Sequence, residues 1–488
     1  MTLYRVDDIM GATSVAVVGA SQDPARIGGR PIRFLLASGF AGHVYPVNAK
    51  YREVQGLLCY QDLASIPDAV DVAIVSVPAR DAAGVIAECG RKGIKGAIVF
   101  SSGFGEVGAA GRALQHELTE AARRAGVRVV GPNCQGVVAL RRGFNASFSS
   151  AFAEPGAPGD VAVVAQSGAV GGMLAAELGA LGVGLSYWVS SGNEADVDTA
   201  ECIEFFARDA GTRTIGAYVE NARSGRRLVA AIAAARAAGK AVVLLRSGRS
   251  AAAARAAGSH TGAEPADASV AAALAGAGAI EVRDVQELID ILYLRSRVPG
   301  AVGRRLGLLS NSGGLGVIMT DLGADFGLEV PSLPEALQSD LASFLPAFGA
   351  FGNPVDITAQ LLADRTLLPR ALELLLGAAE IDVAVVVLAM INRLYPVEAI
   401  VSDLVRLASG APKPIVLAWV SGVPEGARAL HAAGLPVFTD ATRCLRALGA
   451  LARAAPPRGP GSRARRAPAS PASRGAPRRA RPRRPRPR

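Results

Sequence analysis

Short apolar runs, each closing on Gly, Pro, Ser or Asn, recur along the chain with stretches of helical spacing between them. Residues 14–18 (Ser-Val-Ala-Val-Val) run into Gly19-Ala20-Ser21, and Gly28-Gly29 then precedes Ile32, Leu35 and Leu36. Runs at 43–48, 72–78, 96–100 and 127–130 complete a first set. A second set opens at 160–165, meets Gln166-Ser167-Gly168, and continues with 185–189, 214–219 and 241–245. A third opens at 307–309, meets Asn311-Ser312-Gly313, passes the tight loop 352–356, and adds 383–388 and 414–419. Continuous apolar runs, rather than alternating ones, are the mark of parallel strands covered on both faces. The pattern predicts an α/β chain with units over 8–145, 155–298 and 303–455.

In an open parallel sheet, ligands bind at the carboxyl ends of the strands. That places Gly19, Ala20, Ser21, Val77, Pro78, Ser102, Gly103, Pro132 and Asn133 around one crevice. The first turn is a strand–loop–helix start suited to an anion, though it lacks a strict GxGxxG. The second strand ends in Asn48-Ala49-Lys50, where a dinucleotide-binding protein carries an acid for the ribose hydroxyls. Lys50 there suits a phosphorylated ribose, as in coenzyme A or NADP, or is an exposed turn lysine. The missing motif and the missing acid disfavour an NAD(P)-dependent oxidoreductase. Gln166-Ser167-Gly168 and Asn311-Ser312-Gly313 echo one another. Either both are anion-facing helix N-termini, or the echo is a turn common to α/β folds.

His260, one of four histidines, lies in the small-residue loop Gly258-Ser259-His260-Thr261-Gly262-Ala263. An unhindered imidazole is a nucleophile near neutral pH and can carry a phosphoryl group. The plainer reading is a loop histidine that caps a neighbour. Glu220 follows the run 214–219 and is a carboxylate at a strand end.

Composition changes the picture in one respect. The chain of 488 residues carries +10, yet residues 456–488 hold twelve arginines and no acid; removing those twelve leaves −2 on residues 1–455. A nucleic-acid-binding face is therefore not expected. The stretch 456–488 contains Arg, Pro, Ala, Gly and Ser alone and is expected to be disordered. It can grip an anionic partner, and a GC-rich gene translated out of frame gives the same monotony. Five scattered cysteines without CxxC spacing argue against a metal site or disulfide framework and fit a reducing cytoplasm. Neither a signal peptide nor a membrane-spanning apolar run is expected.

Together these motifs resemble the α subunit, or N-terminal half, of NDP-forming acyl-CoA synthetases, the ADP-forming acetate–CoA ligases related to succinyl-CoA synthetase. Ser259-His260-Thr261-Gly262-Ala263 resembles their phosphohistidine loop. Tyr45-Pro46-Val47-Asn48, Val77-Pro78, Gly131-Pro132-Asn133, Gly192-Asn193-Glu194-Ala195-Asp196 and Asn353-Pro354-Val355-Asp356 match around it. The resemblance implies a Rossmann-like CoA-binding domain followed by two flavodoxin-like ligase domains. It implies that His260 shuttles phosphate, that Glu220 orients it, and that Gln166-Ser167-Gly168 and Asn311-Ser312-Gly313 cradle the phosphohistidine. It implies coenzyme A as cofactor, a small carboxylic acid as substrate, ATP/ADP and Mg2+ held by an ATP-grasp β subunit or a continuation of the chain, and an oligomer. Arg246 stands where relatives often carry Lys, and no GxxxxGK[ST] occurs. The competing expectation is a CoA-binding regulatory protein without catalysis, lacking the ATP-grasp half.

Overall fold

The computed structural model describes residues 5–221, 224–248, 250, 252, 253, 268–391 and 395–454. His260 and the Arg/Pro-rich stretch 456–488 lie outside them.

Three sheets follow one another, parallel throughout except for one hairpin in the second. The first runs His43–Val47, Ser14–Val18, Val72–Val75, Gly96–Val99, Arg128–Val130, with every pairing parallel. The third runs Val355–Asp356, Leu306–Ser310, Val383–Ala389, Ile415–Val420, Val437–Phe438, again all parallel. The second runs Ala279–Val282, Ala241–Arg246, Thr214–Val219, Pro158–Ala165, Leu185–Ser190, then Gly136–Ala139 and Phe144–Ser147. Leaving aside a small ribbon and that last hairpin, the strands of each sheet lie in the spatial order 2-1-3-4-5 by sequence rank. This is the flavodoxin-type order, in the first sheet as well as the other two. Its topological switch point, where a ligand crevice opens, lies between the first and third strands.

The hairpin is the departure from the sequence pattern. Gly136–Ala139 follows the first sheet directly, yet it pairs antiparallel with Leu185–Ser190 of the second, Ser190 opposite Gly136. The chain thus crosses into the second sheet before the linker that precedes residue 158. Gly136 permits the crossing: its φ is +117°, and a methyl there would sit 2.3 Å from the Ala146 carbonyl.

The central strands are buried throughout, as continuous apolar runs require. Gly168–Ala180 lays Gly171, Leu174, Ala175 and Leu178 on the second sheet. Its Gly171 carbonyl accepts the indole N–H of the buried Trp188 at 2.8 Å. The second and third units are pinned where Arg443 of Ala441–Ala454 bonds twice to the buried Asp290, at 2.6 and 3.0 Å. No helix among the described residues is long and apolar enough to cross a membrane.

Candidate active site

A cleft of about 430 Å³ opens where the carboxyl-end rim of the first sheet meets that of the second. Ser102, Glu106, Gln115, Asn133 and Cys134 line it from one side; Gln166, Ser167, Gly168, Asn193, Glu194 and Glu220 line it from the other.

The second-sheet wall is built on Gln166, the residue after Pro158–Ala165. Its Oε1 accepts the N–H groups of Glu220 at 2.6 Å and Asn221 at 2.9 Å, and its Nε2 donates to the Asn221 carbonyl at 2.6 Å. One amide side chain thereby fixes the end of the neighbouring strand and the backbone of Glu220. Ser167 caps the next helix, accepting the Val170 N–H at 3.3 Å. Since Ser167, Gly168 and Ala169 line the cleft, the positive end of that helix opens on it. Gly168 is needed for close approach: a methyl there would lie 2.7 Å from Gln135 Cγ.

Behind Gln166 sits Glu194, 3% exposed, with φ +51°. Its carboxylate accepts from Ser191 Oγ at 2.7 Å, Thr199 Oγ1 at 2.5 Å and Thr199 N at 3.0 Å. Burial pushes its pKa up to about 7 against the opposing bonds from Thr199, Ser191 and Gln166. Asn193 latches the two walls: its Nδ2 donates to Glu106 Oε2 at 2.6 Å and Gln115 Oε1 at 2.9 Å, and its Oδ1 accepts from Asn133 at 3.2 Å. Burial would raise the Glu106 pKa, but bonds from Asn193 and the Gly103 N–H outweigh it and hold the group below its ordinary value. Gly192 allows the latch to close, since a methyl there would meet the Pro132 carbonyl at 2.3 Å. Burial pushes the Cys134 thiol up to about 12, which removes it as a nucleophile at neutral pH.

Of the predicted CoA-site residues, Ser102 and Asn133 line the cleft. Gly19, Ala20, Ser21, Asn48, Lys50, Val77, Pro78, Gly103 and Pro132 occupy the same rim of the first sheet without lining it. Gly19 holds φ +84°, and a methyl there would come 2.4 Å from the Ser76 carbonyl, so the turn packs its backbone against the neighbouring strand end where no side chain fits. Asn48 shapes that turn by donating to the Ala20 carbonyl at 2.8 Å and accepting the Lys50 N–H at 3.0 Å, while Lys50 is exposed. Asn311, Ser312 and Gly313 begin the equivalent helix of the third sheet and do not line the cleft. Arg246 is tied to Glu281 at 2.7 Å. Glu106, Gln115, Asn193 and Glu194 were not singled out individually from the sequence. The Gly192-Asn193-Glu194 strand-end motif carried a signal for two of them; Gln115, inside a helix, carried none.

A cleft joining the rim of the first sheet to a helix start of the second suits an anionic ligand held between two units, as the resemblance to a CoA-dependent ligase module requires. Family profiles agree with it: "CoA binding domain" matches residues 13–139, "Succinyl-CoA ligase like flavodoxin domain" residues 158–294, and "Ligase-CoA domain" residues 306–456. The acetate–CoA ligase [ADP-forming] I subunit alpha of Pyrococcus furiosus is 35% identical, over 91% of this chain and 97% of that one. The acetate–CoA ligase [ADP-forming] I of Archaeoglobus fulgidus is 37% identical over 90% of this chain, which spans only 62% of it. Among solved structures, the dinucleotide-forming acetyl-coenzyme A synthetase 1 of Ca. Korarchaeum cryptofilum, in complex with phosphate and ADP, superposes with TM-score 0.85 at 34% identity, covering 92% of this chain and 97% of that one. This chain belongs to the family of ADP-forming acetate–CoA ligase alpha subunits.

Proposed function

We propose that the chain is the CoA- and phosphohistidine-bearing subunit of an acid–CoA ligase. The enzyme would interconvert acyl-CoA, NDP and phosphate with carboxylic acid, CoA and NTP through acyl phosphate and a phosphohistidine. The observation that carries this reading is the single cleft in which Ser102 and Asn133 of the CoA-binding unit face Gln166-Ser167-Gly168 and Glu220. A phosphoryl group moving between acyl phosphate and an imidazole needs N–H donors and a positive dipole end at one point.

In this reading His260 is the carrier and Glu220 steadies the protonated imidazole. Gln166 holds the backbone of Glu220 in place. Asn311-Ser312-Gly313, expected from the sequence as a second cradle, does not line the cleft and is given no part in this reading. Coenzyme A, whose thiol carries the acyl group, is assigned to the rim of the first sheet, where the strand ends at Ser102 and Asn133 line the cleft. Lys50 is exposed and free to reach a ligand phosphate. ATP/ADP and Mg2+ are assigned to an ATP-grasp β subunit, in line with the Pyrococcus relative's name as subunit alpha.

The test is labelling. With an ATP-grasp partner and Mg-ATP, the wild-type chain acquires acid-labile phosphate, and His260→Asn loses the label while retaining CoA affinity by calorimetry. Label persisting on His260→Asn overturns the carrier assignment. Binding of NADH without CoA overturns the cofactor assignment.

A further inference from the structure

A second cavity, of about 390 Å³, lies at the opposite end of the helix Gly168–Ala180 from the cleft: Ala180 lines it, whereas Gly168 lines the cleft. The helix has 13 residues. The two sites are therefore about 20 Å apart, the length of such a helix. The far wall belongs to the third sheet: Trp419, Ser421, Gly422, Ala427, Arg428 and His431.

The nitrogen groups here, on Trp419, Arg428 and His431, offer donors, and the hydroxyls of Ser421 and Thr439 stand beside them. Tyr293 Oη accepts the Val437 N–H at 2.8 Å and has two acceptors within reach, His431 Nδ1 at 2.6 Å and the Leu435 carbonyl at 3.4 Å; the shorter contact takes its proton. That fixes the other tautomer and leaves His431 Nε2 carrying a hydrogen. Burial, with the nearby Arg297 charge adding to it, pushes the His431 pKa below its ordinary value, which keeps the ring neutral. The Trp419 indole N–H, in a side chain 1% exposed, has no hydrogen-bond partner among the described residues. It abuts the turn at Gly422, where a methyl would lie 1.9 Å from the nitrogen. Ser421 takes a left-handed φ of +53°, a conformation a non-glycine residue holds only where its surroundings impose it. Arg428 adds a guanidinium bound only loosely to Glu425, at 3.4 Å. Ala180, Val423, Pro424 and Ala427 make the remaining surface apolar.

We propose that this cavity binds a small monocarboxylate with an apolar body, at a site separate from the cleft. Arg428 and His431 Nε2 take the carboxylate, and Val423, Pro424 and Ala427 cover the body. A planar carboxylate matches the guanidinium fork. A neutral donor-only histidine favours an acceptor ligand, and the apolar wall selects against inorganic anions.

The probe is 4-fluorophenylacetate, followed by fluorine NMR on the full chain. Saturable binding is expected, unchanged by saturating CoA. Arg428→Gln weakens it about tenfold or more, a loss of the size of one charge-assisted contact. Ala427→Phe, which fills the cavity, removes it. Both variants keep the wild-type thermal transition at Trp419, which lies in their own unit, and this certifies their fold. Displacement of the probe by CoA, equal binding of neutral 4-fluorotoluene, or wild-type affinity in both variants would each overturn the proposal.

Discussion

Two turns with the same sequence pattern, Gln166-Ser167-Gly168 in the second sheet and Asn311-Ser312-Gly313 in the third, are wired alike and placed differently. Each amide side chain ties the end of the neighbouring strand across the switch point. Gln166 bonds the backbone of residues 220 and 221, while Asn311 accepts the Ala389 N–H at 2.7 Å and donates to its carbonyl at 2.9 Å. The sequence echo thus reports a shared way of closing a doubly wound sheet. Chemistry enters with what the clamp presents. In the second sheet it presents Glu220 to a cleft shared with the CoA-binding unit. In the third it presents Met390, 62% exposed, and a methyl added at Gly313 would come 2.8 Å from Asp356 Oδ2. A carboxylate already stands at that helix start, where the dipole would otherwise draw an anion.

The largest expected break in this comparison comes from Gln166→Ala. It frees the Glu220 backbone and should slow phosphate labelling by about 100- to 1000-fold, the range for losing a preorganised donor array. Asn311→Ala should leave the labelling rate within about threefold, because the cleft is not lined by its turn. Equal losses in the two variants would place the third-sheet turn in the reaction as well.

A second test uses the acid behind Gln166. The folded Glu194 pKa is about 7, against 4.5 for the free side chain. Between those values the folded chain holds a proton that the unfolded chain releases. Its contribution to stability is therefore present at pH 4.5 and lost as pH rises to 7, by up to about 3 kcal/mol. Glu194→Gln should flatten this dependence. The two tryptophans sit one in the second sheet and one in the third: Trp188 in Leu185–Ser190 and Trp419 in Ile415–Val420. The slope should appear in a variant that keeps Trp188 alone and be weaker in one that keeps Trp419 alone. A pH-independent Trp188 transition over this window would show that Glu194 stays ionised.

Asn311→Ala itself should cost about 2 kcal/mol, because it leaves the N–H and carbonyl of Ala389 without their partner. The loss should register at Trp419 before Trp188. A change confined to Trp188 would mean that the clamp serves the junction between units rather than its own sheet.

What was legible in the sequence follows from distance along the chain. Strand–turn–helix units are local, so the runs ending at Gly19, Gln166 and Asn311 could be read directly; the strand order that the three sheets share rests on pairing between distant segments and could not. Glu220 was legible as a strand-end acid. The bond from Gln166 to its backbone, across more than fifty residues of chain, was not. The hairpin at Gly136 looks like the end of the first unit because the sequence does not encode its partner at Leu185–Ser190. Asn193, Glu106 and Gln115 carry no common pattern; only folding of two units against each other brings them together. Lys50, chosen for its charge, is exposed on the rim rather than in the cleft, since a turn lysine keeps its ammonium in water until a ligand arrives.

The smallest effect separates the two turns most cleanly. Ser167 and Ser312 both occupy the residue before a 13-residue helix, and both have extended backbone. Only Ser167 makes the side-chain cap, to the Val170 N–H; at Ser312 no such bond forms, and its N–H is instead held by Ser310 Oγ at 3.0 Å. Ser167→Ala should therefore cost about 1 kcal/mol, the ordinary value of an N-cap. Ser312→Ala should cost a few tenths at most, since the bond from Ser310 uses a backbone group that alanine retains. Matched thermal melts of the two variants measure the difference. If Ser312→Ala proves as costly as Ser167→Ala, the hydroxyl of Ser312 caps its helix in solution, and the two turns are closer equivalents than their hydrogen bonds indicate.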